Sequence, residues 1–275
     1  MPVVANFYYF ASEAVDHDKK RPPVILLHGA GGNHLSWPPQ IRRLEGERLY
    51  ALDLPGHGKS EGAGRQSIDE YADDVVAFMK ALKIRAAVMV GISMGSAIAL
   101  QLALKYPKKV LGLGLFGGGA RLRVAPVILE TVGNVNSFES AVDMVNENCF
   151  SVHAPKNLVR LSKQHMMDVR PSVLLGDFLA CDGFDVTGSL DQIQLPAIVV
   201  CGMEDRMMPV KYSELLRDGI ANSQQHVLDN AGHMVMLEQP NAVANLLKQF
   251  LDNIPSCVRK ATKKRIIPNG EVGPD

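Results

Sequence analysis

The stretch Ala86-Ala87-Val88-Met89-Val90-Gly91-Ile92-Ser93-Met94-Gly95 decides the fold. It is a short apolar run, then Gly-x-Ser-x-Gly, then the start of a long apolar helical pattern. The order is strand, tight turn, helix. A serine nucleophile needs that order, because a strained turn lifts the hydroxyl out of the fold, where a base and a substrate both reach it. Gly91 and Gly95 carry no Cβ, so strand and helix can approach closely around the turn. Ser93 then stands at a helix N-terminus, beside backbone N–H groups that have no intrahelical partner. Taken alone, the pattern also fits a glycine-rich turn with a capping serine. The strand before it and the helix after it favour the nucleophile.

Upstream, Val24-Ile25-Leu26-Leu27 reads as a buried strand running into His28-Gly29-Ala30-Gly31-Gly32, whose glycines let backbone N–H groups face a ligand. Residues from Ala5 to Phe10, with the polar stretch through Lys20, read as an edge hairpin, and Leu49 to Leu54 as a short strand. Ser67 to Leu82 is a helix with Ser67 and Glu70 spaced for a capping box, and its apolar stripe runs through Tyr71, Val75, Phe78, Met79 and Leu82. Downstream, Ala97 to Leu104 is apolar on nearly all sides until Pro107, and Val110 to Phe116 is the next strand.

From Ala120 to about Gln194 strand signals vanish and four helix-like stretches follow one another: Val127–Val132, Phe138–Asn148, Asn157–Asp168 and Ser172–Cys181. Alternation then resumes with a strand at Ala197–Val200, a helix at Val210–Ile220, a strand at Gln225–Leu228 and a Pro-initiated helix at Pro240–Leu251. The expected architecture is α/β, a mostly parallel sheet flanked by helices. Residues 1–119 and 195–254 form the core, 120–194 a helical insertion, and 255–275 a basic, flexible tail.

Composition narrows the function. Lys plus Arg equals Asp plus Glu, at 29 each, so nothing points to a nucleic-acid or anionic-membrane partner. No apolar run is long enough to span a bilayer, and Met1 to Ala14 lacks the pattern of a signal peptide. Cys149, Cys181, Cys201 and Cys257 are scattered without metal-ligand spacing, which suggests reduced thiols, a cytoplasmic protein and no metal. Neither an organic cofactor nor a particular oligomeric state has a signature here.

A serine nucleophile needs a base, and the base needs an orienting acid. Asp205 follows the strand ending at Val200 and Cys201, and His233 follows the next strand in Ala231-Gly232-His233. In an open α/β sheet such loops share the edge where Ser93 lies. Asp205 could instead be a turn residue and His233 a satisfied loop histidine, but both stand at the right strand ends. Glu204 is the rival acid. His28 and His57 read as loop-ordering residues, while His17, His34, His153, His165 and His226 have no motif around them.

The chain resembles the α/β-hydrolase superfamily from about Val24 to Leu251. The resemblance is carried by His28 to Gly32, by Asp53-Leu54-Pro55-Gly56-His57-Gly58-Lys59-Ser60, by Gly91 to Gly95, by Gly202 to Asp205 and by Gly232-His233. It implies a triad of Ser93, Asp205 and His233, an oxyanion hole from the backbone N–H groups of Ala30 and Met94, and a helical cap formed by the insertion. Ser96 is one departure, since many relatives carry Gly there.

The implied chemistry is hydrolysis of a small-molecule carboxylic ester of short to medium acyl chain through an acyl-enzyme, as in a carboxylesterase. An enol-lactone, or a carbon–carbon bond next to a carbonyl, would suit the same machinery, and a non-catalytic small-molecule binder is a further possibility. Met203, Met207 and Met234, close to the catalytic loops, are the expected lining of an apolar acyl pocket.

Overall fold

Alternate residues of the apolar runs face opposite ways, and this divides the core in two. In the computed structural model, which describes residues 3–13 and 21–254, Val24 and Leu26 pack into one apolar cluster, and Ile25 and Leu27 into another on the opposite face of the sheet. Val88 and Val90 likewise face away from Met89. A strand buried on both faces needs no polar side, which is why these runs are continuous rather than alternating.

The strands are β1 (Val3–Val4), β2 (Phe7–Glu13), β3 (Val24–Leu27), β4 (Arg48–Leu52), β5 (Ala87–Ile92), β6 (Val110–Phe116), β7 (Ala197–Gly202) and β8 (Ser223–Leu228). They form one sheet in the order β1-β2-β4-β3-β5-β6-β7-β8, parallel from β4 to β8, with β1 and β2 antiparallel at the edge. The helices are α1 (Pro39–Arg42), α2 (Ile68–Ala81), α3 (Met94–Lys105), α4 (Pro126–Val132), α5 (Phe138–Cys149), α6 (Lys156–Met167), α7 (Pro171–Asp182), α8 (Val210–Gly219), α9 (Val235–Glu238) and α10 (Pro240–Asp252). Side chains of α2, α3 and α8 cover one face of the sheet, and those of α1 and α10 the other. No described helix is long and apolar enough to cross a membrane.

Local chemistry sets the boundaries. Ser67 accepts the Glu70 N–H and opens α2, but its hydroxyl donates to the Glu70 carboxylate, so the reciprocal bond of a capping box is made side chain to side chain. The N-terminal hairpin turns at Ala5–Asn6, both at positive φ, so it opens with β1 at Val3, before the stretch the sequence suggested. The rest of that stretch, 14–20, and the basic segment 255–275 with Cys257 lie outside the described residues. Strand β4 stops at Leu52, two residues short of expectation. Asp53 is drawn off by His34, accepting its backbone N–H at 2.6 Å and facing its ring at 2.7 Å, while Leu54 N–H donates to His28.

The chain switches direction across the sheet between β3 and β5, and ligands bind at such a switch point, beyond the strands' carboxyl ends. Four helices, α4 to α7, stand between β6 and β7 with an apolar cluster of their own. The base of this insertion is pinned where Arg121 bridges Asp185 and Val186 N–H donates to Ala120 at 2.8 Å.

Candidate active site

Ser93 joins β5 to α3 at φ 55°, ψ −116°, a conformation that costs a non-glycine residue about 1–3 kcal/mol. The turn is held by Ser93 N–H donating to Phe116 at 2.9 Å and by the Ser96 and Ala97 amides donating back to Ser93. Side chains are excluded beneath it: a Cβ on Gly91 would collide with the Gly95 carbonyl, and one on Gly95 with the Leu27 carbonyl. Met94 opens α3, so its N–H has no intrahelical partner, while its side chain is fully buried in the core.

The loop after β3 lies alongside, its Gly29 against Ser93 Cβ. His28 holds this loop as expected of a structural histidine. Its Nδ1–H donates to the Gly29 carbonyl at 2.8 Å and its Nε2 accepts from Leu54 at 3.0 Å, which fixes a neutral ring. Burial, reinforced by the nearby His57 charge, pushes its pKa down to about 4. Gly32 N–H also donates to the Gly29 carbonyl, and Gly31 N–H to Asp177, at 3.0 and 2.8 Å.

Asp205 and His233 leave the ends of β7 and β8, and their side chains meet. His233 Nδ1 lies 2.9 Å from Asp205 Oδ2, with both residues buried. The other carboxylate oxygen accepts the Met207 and Met208 amides at 2.9 and 2.7 Å, so the acid cannot rotate away. A carboxylate on Nδ1 places the ring proton there and leaves Nε2 as the basic nitrogen. Glu204 serves elsewhere: its carboxylate accepts the Val152 N–H at 3.2 Å and lies 3.6 Å from His153. Arg206, the one cation adjacent to these loops in sequence, donates to the Glu147 and Phe150 carbonyls at the end of α5.

Ser93 and His233 open into one cleft between the sheet edge and the insertion. Its wall is apolar, with Val145, Leu158, Leu161, Met166 and Phe178 from the insertion and Met207, Met234 and Leu237 from the core. Met203 is not among the lining residues and is 54% exposed, which corrects the expectation that it faces the pocket. It sits inside the reverse turn closed by Asp205 N–H to Gly202, and that turn swings its side chain to solvent while Asp205 tucks in. Sequence reasoning missed Ser162 and His165, polar residues that line the cleft from one side of α6. Their three-residue spacing on an amphipathic helix was the available signal. Among the described residues no three His, Cys, Asp or Glu side chains group as metal ligands.

The model of the alpha/beta hydrolase fold family matches residues 22–240. The chain belongs to that family. Among curated proteins it is 26% identical to the monoacylglycerol lipase ABHD6 of Bos taurus, over 86% of this chain and 77% of that one. Among solved structures it resembles a thermophilic esterase at 32% identity and TM-score 0.76, covering 91% of this chain and 99% of the other. The enol-lactonase from Burkholderia xenovorans LB400 shares the fold at TM-score 0.83 and 22% identity, over 90% and 96% of the two chains.

Proposed function

We propose that the protein is a serine hydrolase cleaving carboxylic esters of short to medium acyl chain, with Ser93 as nucleophile, His233 as base and Asp205 as its orienting acid. The observation that carries this is the buried Asp205–His233 pair opening, with the strained Ser93, into one apolar cleft. Ser93 Oγ attacks the ester carbonyl as His233 Nε2 takes its proton. The backbone N–H groups of Ala30 and Met94 receive the oxyanion. The tetrahedral intermediate collapses, His233 returns the proton to the departing alcohol, and water then attacks the acyl-enzyme by the same route. The insertion acts as a cap that supplies the apolar wall and keeps bulk water from the acyl group. The described cysteines Cys149, Cys181 and Cys201 are buried free thiols, which supports a reducing compartment such as the cytoplasm.

A second substrate class has a specific observation behind it. Ser162 and His165 stand among the mostly apolar lining residues that the insertion contributes, which suits an acyl chain bearing an oxygen, as in an enol-lactone. Both classes share the acyl-enzyme. Ser93→Ala should leave the fold intact and lower p-nitrophenyl ester turnover by several orders of magnitude. A fluorophosphonate should label wild-type protein at Ser93 and leave the variant unlabelled. Wild-type-like turnover in Ser93→Ala would overturn the assignment.

A further inference from the structure

Asp177 is a fully buried aspartate outside the proposed triad. It lies on α7, a helix of the insertion, and has no exposed surface. Its Oδ2 accepts Gly31 N–H at 2.8 Å and lies 2.7 Å from His57 Nε2, while its Oδ1 accepts the Tyr71 hydroxyl at 2.5 Å. One side chain of the insertion therefore ties together the loop after β3, the loop after β4 and helix α2.

The His57 ring stands between two groups that only accept, the Pro55 carbonyl at 3.1 Å and the Asp177 carboxylate. Both contacts are satisfied only when both ring nitrogens carry protons. The surrounding packing is equally close. Gly31 sits at φ +65°, and a Cβ there would stand 2.8 Å from Leu174 and 3.1 Å from Met166, both in the insertion. A Cβ on Gly176, beside Asp177, would stand 2.7 Å from the Arg65 carbonyl.

We propose that Asp177 is a positioning residue for the oxyanion loop: supplied by the insertion, it holds the Gly31 amide and so aims the neighbouring Ala30 N–H at the reacting carbonyl. The proposal rests on the serine-hydrolase reading above. The peptide plane explains how the hold is transmitted. Ala30 N–H shares a plane with the Gly29 carbonyl and points opposite to it. Gly32 N–H and His28 Nδ1–H grip that carbonyl. Asp177 fixes the next plane through Gly31 N–H, so the dihedrals of Ala30 are set from both sides. Without Asp177 one of these two anchors is gone, and the donor is free to swing.

The test uses the full chain and three variants. Asp177→Ala should lower kcat for a p-nitrophenyl ester roughly 10- to 100-fold, with KM changed less than about threefold, as expected of a misplaced transition-state donor. Asp177→Asn keeps one oxygen that can accept from Gly31 and should recover most of kcat. Tyr71→Phe removes the contact at Oδ1 without touching Gly31. It should lower the unfolding midpoint while kcat stays within about threefold of wild type. An Asp177→Ala enzyme with wild-type kcat, or a Tyr71→Phe enzyme that loses as much kcat as Asp177→Ala, would overturn the proposal. Amide hydrogen exchange of the wild-type protein is the second measurement and needs no variant to fold. Gly31 N–H should exchange only on global opening, and exchange as fast as an exposed loop amide would overturn the proposal by itself. Wild-type protein without ester turnover or fluorophosphonate labelling would defeat the hydrolase reading instead, and the exchange of Gly31 would still decide whether Asp177 holds the loop.

Discussion

Acid should destabilise this protein through one histidine before its carboxylates titrate. His28 is fully buried and neutral, with a pKa lowered from 6.5 to about 4 by burial first and then by the His57 ring, whose centroid lies 4.8 Å away. In the unfolded chain the same ring takes a proton near 6.5. Between those values the unfolded state binds more protons, so stability falls as pH falls. At about 1.4 kcal/mol per pKa unit the whole effect is about 3.5 kcal/mol, of which about 2.5 kcal/mol is lost by pH 4.5. The neighbouring groups titrate outside this window. His57 is raised by Asp177 against the opposing effect of burial. The stability it contributes is therefore complete below about 6.5 and is lost only as pH rises through its folded value. Asp53 is lowered by its bonds to His34 and Lys59 despite burial, so its contribution is lost only below the ordinary carboxylate range. Urea unfolding at pH 7 and pH 4.5 should show the wild-type loss. His28→Gln should be weaker at pH 7 by about 1–3 kcal/mol, because the glutamine amide can accept from Leu54 N–H but cannot also donate to the Gly29 carbonyl as the ring does. Its further loss on going to pH 4.5 should shrink by about 2.5 kcal/mol. Equal losses in the two proteins would refute the assignment of the acid sensitivity to His28.

Asp205→Asn should cost roughly 10⁴-fold in kcat by favouring the wrong imidazole tautomer, whereas Glu204→Gln, which alters contacts to Val152 and His153, should cost far less; steady-state kinetics of both purified variants gives the ranking. Among the described residues Ser96 Oγ is buried without a hydrogen-bond partner. Ser96→Ala should therefore raise stability by about 1 kcal/mol in urea unfolding, through removal of an unsatisfied hydroxyl and better helix propensity. If the cleft takes the acyl chain as proposed, each buried methylene is worth about 0.8 kcal/mol, so kcat/KM on p-nitrophenyl esters should climb about fourfold per carbon beyond acetate until the cleft is full. Met207→Ala and Met234→Ala should move that optimum, and Met203→Ala, at an exposed position, should not.

What the sequence made legible is what repeats locally. The period-2 split of Val24 to Leu27, the strand–turn–helix around Ser93 and the helix stripe of α2 are each set by neighbours within a few residues, so the sequence alone carries them. Asp205 and His233 were legible for a related reason. A parallel sheet puts every strand's carboxyl end on one edge, so a position after β7 and another after β8 become neighbours by topology alone. Side-chain direction in the loops follows no such rule. Met203 and Asp205 are two residues apart, yet one is exposed and the other carries the bond to His233, because a reverse turn decides which way each points. Asp177 was illegible on stronger grounds. It meets Gly31 across 146 residues and His57 across 120, and it stands on a helix whose other buried residues are almost all apolar. A lone aspartate there would be left buried without compensation unless donors converge on it from elsewhere, since a buried charge needs partners. An acidic residue inside an otherwise apolar helix is therefore a prompt to look for those donors, and here they belong to the loop beside the proposed nucleophile.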